Sequence, residues 1–590
     1  MGSFLKIFFA ALLAVLLGIL IWVLASVGLV AGLAKESLPE LKSGSVLLFD
    51  ISASVMEQSR ESGFDVVEGR TPAVTGLYSM VRALEAAAGD EKIKGVYLTG
   101  NSNGMGFAAS QEVRNALDSM RRAGKFVYAA GDVLAQRGFE LMGAADSIFC
   151  FPGGFSQWNG YVVEIPFFKG TLDKLEVKPE VFFAGQFKSA TEPYRLSKMS
   201  DANRLQLSVF INELYGQFLS AVADRRGVDT AELHNLANNM AVNTATDAVR
   251  AGLVDAVLYE DEVRDTMKKR LGLKHDAKIP FITLQDYAKR QPWKSSTEIS
   301  PDKIAVIYAE GEIIDGKEED GAIGGEAYRN LLRKARLDKK IKAVVLRVNS
   351  PGGSALASEM IAREVELLKK EKPVVVSMGD YAASGGYYIS CLADSIFAQP
   401  ATLTGSIGVF SLMFDVSKLM NNKLGVTFDA VKTSPGADFM TPFRPMTDLE
   451  RRVSQSIVDS IYLQFKSRVA AGRGLSLATV DSLGQGRIWS GSNAVKNGLA
   501  DRLGGLNDAL ACAARMAKIE QYELREWPVI PSLIEKILGD EKQTVSTSKA
   551  TGNKVVASSG NELTWMHHLR QLQRMQGAPQ ARLPFSLVLR

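Results

Sequence analysis

The residues best placed to do chemistry in this sequence are a serine and a set of glycines. In Gly379-Asp380-Tyr381-Ala382-Ala383-Ser384-Gly385-Gly386-Tyr387, a serine flanked by small residues stands where an apolar run ends and a helix would begin. Such a serine can expose its Oγ as a nucleophile and use the following amide, that of Gly385, as an oxyanion donor. The plainer alternative is a helix N-cap. Upstream, the strand-like AVVLRV ends in Asn349-Ser350-Pro351-Gly352-Gly353-Ser354. A Pro-Gly-Gly turn between strand and helix lets bare backbone amides approach a ligand closely, and donors held in that way suit an oxyanion. A purely structural turn is the competing reading.

A nucleophilic serine needs a base, and histidine is scarce. The chain has His234, His275, His567 and His568, with none from residue 276 to 566. Lysine can serve when desolvation keeps it neutral near working pH, and Ser-Lys pairs are a known variant of triad logic. Phe182-Phe183-Ala184-Gly185-Gln186-Phe187-Lys188-Ser189-Ala190 offers a lysine among aromatic and small neighbours. A solvated lysine is the alternative there.

What must position these groups is an internal duplication. Residues 90–149 align without a gap to residues 338–397, with 21 of 60 positions identical, which is beyond what shared core patterning produces. A looser match runs on from KLEVKPEVFFAGQFKSATEPYR to KLGVTFDAVKTSPGADFMTPFR. Each copy alternates apolar strands with helices, which predicts an α/β fold built on parallel sheets. The copies differ at the chemical positions. Gln136 stands opposite Ser384, Arg137 opposite Gly385, and Ala437 opposite Lys188. One copy keeps the serine and the other keeps the lysine, so a site would form between them.

Between Lys6 and Lys35 lie 28 residues without a charge, whereas a bilayer core takes about 20 apolar residues and a cleavable signal only about 7–15. The expectation is a retained N-terminal membrane anchor over residues 1–35, with a cleaved signal as the alternative. The expected organisation continues with a first repeat over 44–265, a linker over 266–300, a second repeat over 301–525, and a polar linker and tail over 526–590. Within the tail, LTWMHHLRQLQRMQGAPQARLPFSLVLR is compatible with an amphipathic partner or membrane-surface helix. Lys+Arg 69 against Asp+Glu 65 argues against a nucleic-acid partner. Three scattered cysteines, Cys150, Cys391 and Cys512, argue against a disulfide framework or a cysteine-based zinc site and read as buried thiols.

Taken together, the Ser384 and Gly352-Gly353 motifs, Leu403-Thr404-Gly405-Ser406-Ile407-Gly408, and Lys188-Ser189-Ala190 followed by Glu192-Pro193 resemble the signal peptide peptidase A (protease IV) family. The resemblance is to its long, tandem-domain bacterial form and covers nearly the whole chain. It implies two crotonase/Clp-protease-like (ββα superhelix) domains after a transmembrane helix. It implies Ser384 as nucleophile, Lys188 as general base and Ser406 as the residue orienting the lysine. Gly352, Gly353 and Gly385 would form the oxyanion hole. Trp158 replaces Ser406 in the first copy. The family's activity would be degradation of cleaved signal peptides, without cofactor or metal, by a homotetramer facing the periplasm from the bacterial inner membrane. A crotonase-type acyl-CoA enzyme and a non-catalytic scaffold are the competing classes. The span and the Ser/Lys pairing count against the first, and the complete residue set counts against the second.

Overall fold

The computed structural model describes residues 39–59, 75–290, 300–317, 321–530 and 579–583, together with 7–8, 10–18 and 22 near the N-terminus. The apolar, β-branched runs form parallel strands as their composition requires. In the first half these are β1 (Ser45–Asp50), β2 (Ile93–Thr99), β3 (Phe126–Leu134) and β4 (Ser147–Ser156). β5 (Lys178–Ala184) leaves this sheet, and β6 (Ala256–Val257) and β7 (Phe281–Thr283) return to it. The order is β6-β4-β3-β2-β1-β7, every pair parallel.

The second half begins with β8 (Lys303–Glu310), β9 (Glu312–Ile314), β10 (Ala322–Gly324), β11 (Ile341–Ser350) and β12 (Gly352–Ser354). It continues with β13 (Val374–Ala383), β14 (Ser395–Ala398), β15 (Leu403–Gly405) and β16 (Val409–Asp415). It closes with β17 (Ile488–Ser490), β18 (Arg502–Leu503) and β19 (Glu523–Trp527). Its main sheet runs β17-β15-β13-β11-β8-β19, with β14 and β18 branching from β13.

A third sheet, of order β10-β9-β12-β20-β16-β5 with β20 formed by Gln580–Arg582, contains strands from both halves. β5 of the first half lies antiparallel on β16 of the second, pairing Ala184 with Val409 through Lys178 with Asp415. Phe182 and Ala184 thereby enter the second half's core. Burying one such phenylalanine is worth about 1.5–3 kcal/mol. Glu180, itself buried, takes a two-pronged ion pair from Arg451.

A second tie between the halves is ionic. Arg347 on β11 is fully buried and donates to Glu57 (2.8 Å) and Glu112 (2.7 Å) of the first half. Desolvation works against its charge, but the two carboxylates outweigh it and hold the guanidinium above its ordinary pKa. Asp380, beside this cluster, accepts the amides of Ala108 (2.8 Å) and Ala109 (3.1 Å) at the start of the helix Phe107–Arg122.

Two expectations need correction. Residues 266–290 are not a linker. The helix Glu260–Leu271, strand β7 paired to β1, and the helix Leu284–Arg290 all belong to the first half, and Ile282, Leu284 and Tyr287 are in its core. The amphipathic-helix reading of the C-terminal stretch also fails over its described part, because Gln580–Arg582 is a buried strand, β20. Proline brackets this segment at Pro579 and Pro584, removing donors and favouring extended backbone at Leu583. The expected membrane anchor falls mostly outside the described residues. Among the described residues, no helix is long and apolar enough to cross a membrane. Cys150, Cys391 and Cys512 are buried free thiols.

Removing one member of a buried ion cluster leaves its partners charged and dry, at a cost of about 3–5 kcal/mol. Arg347→Met is therefore expected to lose about that much stability in denaturant unfolding. A loss below about 1 kcal/mol would contradict the role of this cluster in joining the halves.

Candidate active site

Strand β13 ends at Ala383, and the chain turns sharply at Ser384 into the short helix Gly385–Ser390. Ser384 has φ 54° and ψ −113°, a left-handed conformation that a non-glycine residue adopts at a cost of about 1–3 kcal/mol. Its amide is held by the Gly405 carbonyl (2.8 Å) at the end of β15. The side chain makes no cap hydrogen bond to the helix, so the N-cap reading does not describe it. Instead Oγ lies 2.8 Å from Lys188 Nζ.

Lys188 follows β5 and is carried into the second half by that strand's pairing with β16. The loop carrying it rests on the Gln485-Gly486 turn: Phe187 N donates to Gln485 O (2.8 Å), and Gly486 N donates to Ile407 O (2.8 Å). Gly486 has φ +76°, and a Cβ there would come within 2.7 Å of Lys188 Cα and Cβ, so only glycine admits the lysine backbone at this distance. Gln206 holds the loop from its other side, donating to Phe187 O (3.1 Å) and accepting from Ile488 N (3.3 Å).

Nζ has two further partners, Ser406 Oγ at 3.0 Å and Ser406 O at 3.2 Å. Lys188 is 1 % exposed, and Ser384 and Ser406 are fully buried. Burial pushes the lysine well below its ordinary pKa, and no counter-charge offsets it. A neutral amine carries two hydrogens and one lone pair. With both hydrogens on Ser406, the lone pair faces the Ser384 hydroxyl. Ser406 also has positive φ, 50°, and its amide donates to Arg487 O (2.7 Å).

The glycines of the expected oxyanion hole adjoin Ser384. Gly352 has φ +99°; a Cβ there would lie 2.7 Å from Gly385 N, and one on Gly385 would lie 3.1 Å from Gly353 N. All six residues expected at the site are thus brought together within one chain. The supporting groups that the sequence reading missed are Gly486, Gln485 and Gln206. The string Gly484-Gln485-Gly486 was the available signal, but it lies roughly 300 residues from the lysine it supports.

In the first half the equivalent positions are filled. Gln136 Oε1 accepts the amides of Asn159 (2.7 Å) and Gly160 (2.8 Å), and the Arg137 guanidinium lies over the Phe107 ring. Trp158 is fully buried, donating to Leu233 O (2.8 Å). The histidines serve elsewhere: His234 packs edge-on to Tyr215, and exposed His275 lies 3.2 Å from Asp265. His567 and His568 are outside the described residues.

The chain is 34% identical over 535 residues to Protease 4 of Salmonella typhi, covering 88% of this chain and 85% of that protein. It is 35% identical over 489 residues to Protease 4 of Haemophilus influenzae, covering 80% and 79% of the two chains. It is 31% identical over 484 residues to the chloroplastic serine protease SPPA of Arabidopsis thaliana, covering 81% and 70%. A solved ClpP1 mutant from Listeria monocytogenes aligns with 35% of this chain and 94% of its own at 14% identity and a TM-score of 0.24. An α/β fold together with the Protease 4 and SPPA relatives defines a serine peptidase. Residues 119–274 and 366–520 match the model of Peptidase family S49, and the chain belongs to that family.

The lowered lysine pKa carries a sign for stability. Below 10.5, the unfolded chain takes up a proton at Lys188 while the folded chain does not, until pH reaches the lowered value. Across that window the wild type should lose stability relative to Lys188→Met by about 1.4 kcal/mol per pH unit as pH falls. Denaturant unfolding at a series of pH values reads this difference, and a flat one would mean that Lys188 is charged in the folded state.

Proposed function

We propose that this chain is an endopeptidase in which Ser384 is the nucleophile, Lys188 the general base, and Ser406 the group that orients the lysine. The observation carrying this reading is the 2.8 Å contact between Ser384 Oγ and a lysine amine that is fully buried and lacks a counter-charge. As Ser384 Oγ attacks a peptide carbonyl, its proton passes to Lys188 Nζ. The oxyanion falls to backbone amides of the Gly352-Gly353 turn and Gly385, donors already in place before charge develops. The peptide C–N bond then breaks, and Lys188 returns the proton to the departing amine. Water, deprotonated by the same lysine, hydrolyses the acyl ester.

The substrate class is extended, largely apolar peptides, bound as an added strand. The resemblance of the site motifs to the signal peptide peptidase A family and the uncharged N-terminal run together favour cleaved signal peptides left in a membrane. They favour an enzyme anchored by residues 1–35 in the bacterial inner membrane, with its two repeats on the periplasmic side and assembled as a homotetramer. No cofactor or metal enters the reaction.

Hydrolysis of a hydrophobic signal-peptide substrate by purified variants tests this. Ser384→Ala and Lys188→Ala should each lose at least about 10³-fold in kcat while unfolding cooperatively. Ser406→Ala should retain a fraction, about 10²-fold down, because it displaces the base without removing it. Full activity in either of the first two variants would sink the assignment.

A further inference from the structure

A cavity of about 370 Å³ lies near the nucleophile turn, and the catalytic reading gives it no role. One wall belongs to the second half, with Tyr381 on β13 beside Leu403 on β15. Tyr381 stands three residues before Ser384. At a strand's rise the cavity is therefore roughly 10 Å from the nucleophile, a distance an extended peptide covers in about three residues. Phe210 and Leu403 line the cavity and also pack with Leu583, so it is continuous with the groove. A chain running from the glycines toward Leu403, as Gln580–Arg582 and Leu583 do, reaches it on its C-terminal side.

The opposite wall is the first half's counterpart of the oxyanion turn, residues 102–107, together with Arg137, the counterpart of Gly385. The central amides of this turn are engaged within the first half. Gly104 N donates to Ile51 O (3.0 Å), and Met105 N donates to Asn103 Oδ1 (3.0 Å). The turn presents a flat cation instead. Arg137 is held in its plane by Glu140 and by the Met105 carbonyl. One face of the guanidinium covers the Phe107 ring, its carbon 4.2 Å from the centroid, and Tyr161 braces Phe107 edge-on at 5.4 Å. The other face is the one left to border the cavity. Glu140 already neutralises Arg137, and Asp380 is turned to the Ala108 and Ala109 amides, so these walls do not favour an anion. An aromatic ring gains from the face of a guanidinium, and gains more where water is excluded.

We propose that this cavity is a substrate subsite that takes an aromatic side chain, stacked on Arg137, about three residues past the peptide bond that is cut. The place of that bond rests on the Ser384–Lys188 reading. Phe210, Tyr381 and Leu403 supply apolar sides for the ring, and Arg137 supplies the selective face. The first repeat then contributes twice to the reaction. Lys188 does chemistry, and the turn that has no nucleophile selects the peptide.

Peptide amides of one apolar sequence, differing only in the third residue after the cut (Phe, Leu, Ala or Glu), test this, with the cleavage position read by mass spectrometry. For the wild type, kcat/KM should fall about 5-fold from Phe to Leu and at least about 10-fold from Phe to Ala. Arg137→Lys keeps the charge beside Glu140 but loses the flat face, and should bring the Phe peptide down to the Leu peptide. Ala401→Phe fills the cavity from the second half and should bring the Phe peptide down to the Ala peptide. Equal kcat/KM for all four peptides, a preference for Glu, or an unchanged Phe-to-Leu ratio in Arg137→Lys overturns the aromatic subsite and leaves the peptidase reading standing. Binding of the same peptides to Ser384→Ala, followed by fluorescence anisotropy, separates the subsite from the chemistry. Preference for Phe in binding, with no hydrolysis by the wild type, overturns the peptidase reading and keeps the subsite. Neither hydrolysis nor selective binding overturns both.

Discussion

The structure depends on keeping one amine dry. A lysine is a base near neutral pH only if water is excluded from it and no carboxylate holds its proton, and Lys188 meets both conditions. The half of the chain that supplies Lys188 is not the half that supplies Ser384, so exclusion of water and assembly of the site are the same event. The pairing of β5 with β16 achieves both. It delivers the lysine at the end of a strand whose aromatic side chains enter the receiving core, and it closes that core over the amine. The buried Arg347 cluster is a second tie that holds the halves together.

Duplication explains why such an arrangement can arise. Two copies of a strand–turn–helix unit both offer a sharp turn after the equivalent of β13. In the first copy the turn is filled by side chains with structural roles: Gln136 Oε1 on two amides, Arg137 on an aromatic face, Trp158 in the core. In the second copy Ser384 and Ser406 hold positive φ and leave Oγ atoms facing an amine. Stability was kept in one copy and local strain accepted in the other, which is tolerable because the surrounding sheet fixes the turn.

Much of this was legible in the sequence, for identifiable reasons. The continuous Val/Ile runs of β11 and β13 read directly as parallel strands, and a constant alignment offset exposed the duplication. Comparing the copies singled out Ser384 and Lys188, because a residue lost from one copy is visible without any other sequence. What stayed hidden depends on contacts distant in the chain between very short segments. The three-residue strands β9, β10, β12 and β20 carry too little periodicity to be seen. β7 is equally short and pairs with β1 across more than 200 residues, so 266–290 read as a connection. The prolines that bracket β20 favour extended backbone, but nothing local indicates the sheet it joins.

The third sheet also bears on selectivity. Backbone pairing with β12 and β16 asks only that a peptide be extended, and it is nearly indifferent to sequence. Discrimination therefore has to come from the side-chain positions, and β20 samples three of them. Ala581 is fully buried with its carbonyl oxygen against Gly352 and Gly385, so its position admits a small side chain. That of Arg582 meets the carboxylate of Glu312. That of Leu583 meets an apolar wall, beside which a cavity of about 370 Å³ lined by Phe107, Arg137, Tyr381 and others remains open. The surroundings of β20 thus suit a small residue and, two positions later, a bulky apolar one. The bare glycine backbone that brings Gly352 and Gly385 this close to the strand also leaves little room beside it, so close backbone approach and a small neighbouring residue have one physical origin.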